Sequence, residues 1–74
     1  MIYELYINLT TSDDKMTESI YSLNEVVKRA VEISKCDNVH SVDITNDSVI
    51  ALCTMKNGEI IYVDKDLPIL LANE

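Results

Sequence analysis

The sequence has one glycine and one proline in 74 residues, and it lacks tryptophan and phenylalanine. So few turn-forming residues argue against a low-complexity segment, and the 47% apolar content is typical of a globular chain. One glycine is also too few for a phosphate-binding loop. Because a chain this short buries only about 60% of its unfolded surface, we expect one small domain without a deep cleft.

Histidine and cysteine are almost as rare. His40 is the only histidine, which excludes a metal site built on a histidine pair. Cys36 and Cys53 are the only cysteines, and the separation of thirteen positions between His40 and Cys53 gives no support to a Cys–His dyad. We expect both thiols to be small buried side chains in a reducing compartment.

Acidic residues are plentiful, but their spacing does not indicate an active centre. Asp13 and Asp14 are adjacent, and Asp64 and Asp66 are separated by one residue. Neither pair belongs to a segment with the regular oxygen ligands, central glycine and closing glutamate of a calcium loop. Paired catalytic carboxylates also need a cleft. We therefore expect a protein that is not an enzyme and that binds no cofactor and no metal ion.

The beginning of the chain lacks a long apolar run. In MIYELYINL, Glu4 interrupts the apolar residues after the third position, and no basic residue precedes them. A signal peptide needs a basic region before an apolar one, and a membrane span needs about 20 apolar residues. We expect neither, and hence a cytoplasmic protein that does not bind membranes.

The main feature of the composition is negative charge. Thirteen acidic residues against six basic ones give a net charge of −7. Residues 18–35 are neutral overall, whereas residues 36–66 contain six carboxylates and two lysines, a net charge of −4. Such a surface repels phosphate, so we expect no direct binding of nucleic acid, whereas a basic protein surface would be attracted.

Periodicity predicts the order β-α-β-β-β in a single α+β domain that covers residues 1–74. Residues 2–9 alternate apolar and polar side chains, as in a strand with one buried face. After the polar stretch TTSDDKMT, apolar residues recur at helical spacing; Thr17 and Ser22 are both credible N-caps, and we favour the longer helix after Thr17. VHSVDIT, VIALCTM and EIIYVD then predict three strands. We expect one helix packed on a mainly antiparallel four-stranded sheet.

Asn57-Gly58, between the last two strands, is typical of a two-residue hairpin turn. Strict alternation from this turn pairs residues 52–56 with residues 59–63, for example Cys53 with Tyr62. One apolar group then lies under the helix: Val42, Ile44, Ile50, Leu52, Ile61 and Val63. A second group lies on the opposite face of the sheet, here called the outer face: Ile2, Glu4, Tyr6, Ser41, Asp43, Ala51, Cys53, Met55, Ile60 and Tyr62.

The outer face is therefore predicted to be partly apolar, with carboxylates at its rim. Tyr6 and Tyr62 lie among carboxylates and not among basic residues, which favours contact with a protein over stacking on nucleic-acid bases. Tyr3 and Tyr21 are expected to pack between helix and sheet. The predicted partner-binding residues are Tyr6, Asp43, Cys53, Met55, Ile60, Tyr62 and Asp64.

The C-terminal segment 65–74 leaves one alternative open. It is apolar, and Asp66 could cap a short helix with Pro68 in its first turn. If this segment folds over the outer face, that face is ordinary core. If it does not, a large exposed apolar patch on a small protein indicates a binding surface.

No motif assigns the chain to a family. In size, acidity and lack of catalytic residues it resembles the small accessory proteins of phages and other mobile elements, some of which inhibit host nucleases by occupying their nucleic-acid sites. That resemblance implies an inhibitor or accessory protein that binds the basic surface of a partner protein. Two alternatives are a structural homodimer that packs through the outer face, and a small-molecule-binding protein or enzyme with a site between helix and sheet.

Overall fold

A computed structural model describes residues 2–10, 15–46 and 51–73, which form five strands and two helices. In chain order they are β1 (Tyr3–Leu9), β2 (Lys15–Ile20), α1 (Leu23–Ser34), β3 (Val39–Thr45), β4 (Ala51–Lys56), β5 (Glu59–Val63) and α2 (Leu67–Ala72). The strands form one sheet in the order β2-β1-β3-β4-β5, and all neighbouring strands are antiparallel. The predicted α+β fold is confirmed, but the sheet has five strands where we expected four.

The unexpected strand is β2, in the segment that we interpreted as a turn and the start of the helix. β2 pairs with β1, with Ile20 opposite Tyr3 and Met16 opposite Ile7. Residues opposite each other share a face of the sheet, so every second residue of KMTESI lies on the same side as the buried face of β1. The pattern is weak because an edge strand has one neighbour and remains partly solvated. Asp13 and Asp14 lie outside the described residues.

Helix α1 begins at Leu23, so the longer helix that we favoured is wrong and the alternative start at Ser22 is confirmed. The hydroxyl group of Ser22 accepts a hydrogen bond from the backbone N–H of Glu25 at 3.4 Å, as in an N-cap. Thr17 belongs to β2. The buried residues of α1 recur at three- and four-residue spacing and pack on β3 and β1: Leu23, Val26, Ala30 and Ser34.

The predicted hairpin turn is present, with positive φ at both Asn57 (54°) and Gly58 (79°). The turn is also attached to the C-terminal end of α1. The Ser34 hydroxyl accepts a hydrogen bond from the backbone N–H of Gly58 at 2.8 Å and donates one to the carbonyl of Val31 at 2.9 Å. The backbone N–H of Asn57 donates to the Ser34 carbonyl at 3.1 Å. These bonds fix one end of the hairpin to the helix.

Two bulges change the register that strict alternation predicts. Met55 lies opposite Ile60 as expected, but Thr54 lies opposite Tyr62, so Ile61 has no partner in β4. Between β3 and β4, Ile44 lies opposite Cys53 and Thr45 opposite Ala51, which leaves Leu52 as the additional residue.

The second bulge explains why Leu52 and Cys53 are both apolar although they are adjacent in a strand. A bulge turns adjacent side chains towards the same side, and both Leu52 and Cys53 are buried, at 1% and 0% exposure. Ile50, which we placed under the helix, lies outside the described residues.

The C-terminal segment forms the short helix α2, with Asp66 at the N-cap position and Pro68 in the first turn, as predicted. The Asp66 side chain makes no capping hydrogen bond. α2 contacts α1, Leu67 is part of the core, and Leu70 and Leu71 are partly buried against it. The tail therefore adds to the core on the helix side of the sheet and leaves the outer face uncovered.

Candidate protein-binding surface

The predicted partner-binding residues lie in three different environments. Cys53 and Met55 are 0% and 1% exposed, on the helix side of the sheet, where they lie opposite the fully buried Ile44 and Val42. Placing them on the outer face was wrong, because that placement assumed strict alternation through the bulge at Leu52. They cannot contact a partner in the folded chain.

Tyr6 and Asp43 do lie on the outer face, but within a polar network. The Tyr6 hydroxyl donates to Glu4 Oε2 at 2.5 Å. Asp43 accepts from Thr54 Oγ1 at 2.6 Å and from Asn8 Nδ2 at 3.0 Å, and the same amide of Asn8 also donates to Ser41 Oγ at 3.0 Å. The centre of the outer face is thus covered by hydrogen-bonded polar side chains and not by the apolar patch we predicted.

Two pKa shifts follow from this arrangement. The hydrogen bond to Glu4, together with partial burial and the negative charge of that carboxylate, raises the pKa of Tyr6 above its usual 10.0. Burial raises the pKa of the Cys53 thiol above 9.0, and the charge of Asp43 adds to this effect. Both shifts favour the neutral form, so neither group is activated for chemistry at neutral pH.

The exposed apolar residues are concentrated on β5. We define the β5 surface as four consecutive residues: Ile60 (55% exposed), Ile61 (60%), Tyr62 (49%) and Val63 (48%). β5 is an edge strand that packs mainly on β4. Ile61 and Val63 were expected to be covered by the helix. Val63 does lie on the helix side of the sheet, opposite Cys53, but both residues are exposed, which corrects that prediction.

The exposure of β5 has a geometric cause. A helix about 10 Å wide covers about two strands spaced about 4.8 Å apart. α1 packs mainly on β3 and β1, near the middle of the sheet, and contacts β4 less. The sequence predicts one main helix and four strands, which is more strands than one helix can cover. This mismatch could have identified an uncovered strand such as β5.

Carboxylates flank the β5 surface. Glu59 precedes it and Asp64 follows it, with Asp66 two residues further on. Asp64 is held at the end of the strand, because its backbone N–H donates to the Leu52 carbonyl at 2.8 Å and its Oδ2 accepts from the backbone N–H of Asp66 at 3.1 Å. Of the predicted set, Ile60, Tyr62 and Asp64 therefore lie close together. Placing Ile60 on the outer face was wrong, because it lies opposite the buried Met55 on the helix side of the sheet.

An open cavity of about 260 Å³ lies between α1, β1 and β2, near the edge of the sheet opposite to β5. Its lining is mainly apolar and includes Ile7, Met16 and Ile33. Arg29 also lines it, but its Nε and Nη2 atoms already contact the two carboxylate oxygens of Glu18, each at 3.3 Å. The guanidinium is thus paired within the chain. Over the described ranges, no group of three His, Cys, Asp or Glu residues is placed to hold a metal ion.

Comparison with protein-family models, with curated proteins and with solved structures finds no significant match. Neither α1 nor α2 is long and apolar enough to cross a membrane, and these are the helices of the described part of the chain.

Proposed function

We propose that this chain is a non-enzymatic protein-binding module and that the β5 surface is its binding site. The observation that carries the proposal is a row of four consecutive apolar side chains, each about half exposed, on an edge strand of a small domain. Exposed apolar patches on small proteins indicate interaction sites. Aromatic side chains such as Tyr62 are enriched in protein interfaces.

Charge supports a basic partner. The chain has a net charge of −7, and Glu59 and Asp64 border the β5 surface. Complementary charge accelerates association and selects among partners. A basic surface that binds nucleic acid in another protein has the required sign, so the chain fits the role of an inhibitor or accessory protein. Its two cysteines are free thiols, which is consistent with the cytoplasmic location that we propose.

Parallel affinity capture from cytoplasm of the source cells tests the proposal. The wild-type chain is compared with the double variant Ile61→Ser/Tyr62→Ser and with the control Tyr21→Ser. Tyr21 was expected to pack between helix and sheet, but its side chain is 76% exposed and lies outside the strands. We expect the wild type and the control to retain the same protein, which is released by rising salt concentration, and the β5 variant to lose it. Equal retention by all three chains would contradict the proposal.

The homodimer alternative also has a specific observation in its favour, since an exposed apolar edge strand can pair with a second copy. Packing through the outer face, as first expected, loses support because Cys53 and Met55 are buried in the chain's own core. Sedimentation equilibrium of the wild type decides between a heterologous partner and a homodimer. A monomer over the working concentration range supports a heterologous partner, and a dimer that dissociates in Ile61→Ser/Tyr62→Ser supports self-association through β5.

A further inference from the structure

The backbone of β5 is available for pairing as well as its side chains. In an edge strand, alternate N–H and C=O groups point away from the neighbouring strand and have no partner in the sheet. Among the strands of the described residues, β5 has β4 on one side and none on the other. An extended peptide can therefore be added to the sheet with hydrogen bonds from its own backbone.

We propose that the β5 surface, if it is the binding site proposed above, binds an extended basic segment of its partner as a sixth strand. The inference deepens the proposed function and rests on it. It specifies a backbone-paired strand with apolar side chains on one face and Lys or Arg at the end beside Asp64 and Asp66.

The side chains of β5 define what the added strand must present. Ile60 and Val63 lie opposite Met55 and Cys53, so they lie on the helix side of the sheet, where the core of the domain is. An added strand would place every second side chain beside them. Apolar residues at those positions would bury the exposed parts of Ile60 and Val63. The other face of the added strand would lie beside Tyr62, which is opposite the polar Thr54.

Charge favours a basic segment over a second copy of this chain. The ends of β5 carry Glu59 and Asp64, and Asp66 follows. Lys56 lies nearby in sequence and the side chain of Lys35 lies beside Gly58, so lysines outnumber carboxylates at the turn end of β5. At the other end, Asp64 and Asp66 outnumber Lys65. Two copies, each with a charge of −7, would repel each other over their whole surfaces. A segment with Lys or Arg at the Asp64 end of β5 would be attracted instead.

The length of β5 bounds the length of the segment. Its five residues span about 17 Å at about 3.4 Å per residue. A segment of about five to seven residues is enough to pair along the strand and to reach the carboxylates at its ends. No folded domain is required of the partner, so a loop or a terminal segment would serve.

A randomised library of seven-residue peptides, displayed and selected on the full chain, tests this inference. We expect the selected peptides to alternate apolar and polar residues, to carry Lys or Arg near one end, and to lose binding to Ile61→Ser/Tyr62→Ser. The control Met16→Ser, whose side chain is 57% exposed on β2, should bind them as the wild type does. N-methylation removes the hydrogen-bond donor of a backbone amide. In a selected peptide, two alternate amides are methylated either at odd-numbered or at even-numbered positions. One of these two sets should weaken binding at least about tenfold, because each lost backbone hydrogen bond contributes to affinity.

The outcomes separate the two proposals. Peptides that require the β5 surface but tolerate N-methylation of either alternate set of amides would overturn strand addition, and the β5 surface would remain the proposed binding site. Peptides that bind equally well to the β5 variant, or a library that yields no binders, would overturn both. Acidic or apolar-only peptides would overturn the basic segment, and a stable dimer of the free chain would replace it with a second copy.

Discussion

The two edge strands of this sheet, β2 and β5, differ in the side chains that they expose to solvent. β2 is polar, its Glu18 is paired with Arg29 of α1, and its Ile20 packs against the core. β5 has four consecutive exposed apolar residues and packs mainly on β4. Charged residues on an edge strand oppose unwanted pairing. The difference is that β2 is an edge protected by its sequence, whereas β5 is the edge on which we propose that a partner pairs.

The largest expected effect contrasts β4 with β5. Leu52→Ala should lower the free energy of unfolding by about 2 to 5 kcal/mol, because Leu52 is buried and its deletion leaves a cavity. Ile61→Ala, at a site that is 60% exposed, should change it by less than about 0.5 kcal/mol. Urea denaturation measures both. Equal losses would mean that β5 is covered and that its contrast with β2 is wrong.

The next contrast uses the two thiols. Cys36 is exposed and Cys53 is buried in β4, so we expect Cys36 to react with a thiol reagent at once in the native chain. Cys53 should react at least about a hundredfold more slowly, because access requires the rarely populated unfolded state. Cys36→Ser serves as the control in which only the slow reaction remains. Two fast thiols would show that β4 is not shielded by its neighbours.

The attachment of β5 to the helix gives a smaller effect. Gly58→Ala should lower the free energy of unfolding by about 1 kcal/mol or more, since φ at this position is 79° and a Cβ would lie 2.6 Å from Cε of Lys35. Gly58→Asn should lower it less, because asparagine tolerates positive φ more readily. Equal denaturation midpoints for wild type and Gly58→Ala would contradict the turn and the position of β5 that depends on it.

The smallest effect concerns the polar outer face that lies between the two edges. The pKa of Tyr6 is raised, so its neutral form stabilises the folded state fully below pH 10, and this contribution is lost as the pH rises through the folded-state pKa. The difference in tyrosinate absorbance between wild type and Tyr6→Phe should therefore show a midpoint above 10.0, and Glu4→Gln should return it towards 10.0. A midpoint unaffected by Glu4→Gln would place Tyr6 outside the network.

Local sequence signals predicted much of the fold. The alternation in β1, the Ser22-x-x-Glu25 cap alternative, Asn57-Gly58 and Pro68 each satisfy a requirement of the backbone at their own positions. The class and the order of the remaining elements followed from them. β2 was missed because half of its residues are solvated and its polar sequence is equally typical of a loop.

The candidate site was predicted less well, because it depends on non-local geometry. The bulges at Leu52 and Ile61 are set by how β4 fits its two neighbours, and each one shifts the faces of all residues beyond it. Ile60, Tyr62 and Asp64 still lie together because they are close in sequence. Cys53 and Met55 were misplaced because their faces depend on the register across the sheet.

Hydrogen exchange of the backbone amides, followed by NMR with and without a selected basic peptide, tests the central claim most directly. In the free chain, amides of β5 that point away from β4 should exchange faster than those in β3, which is paired on both sides. On addition of the peptide, protection should rise along Glu59–Val63, and β2 should be unchanged. Protection that rises along Lys15–Ile20 instead, or binding that leaves the β5 amides as fast as before, would contradict the assignment of β5 as the edge that binds a partner.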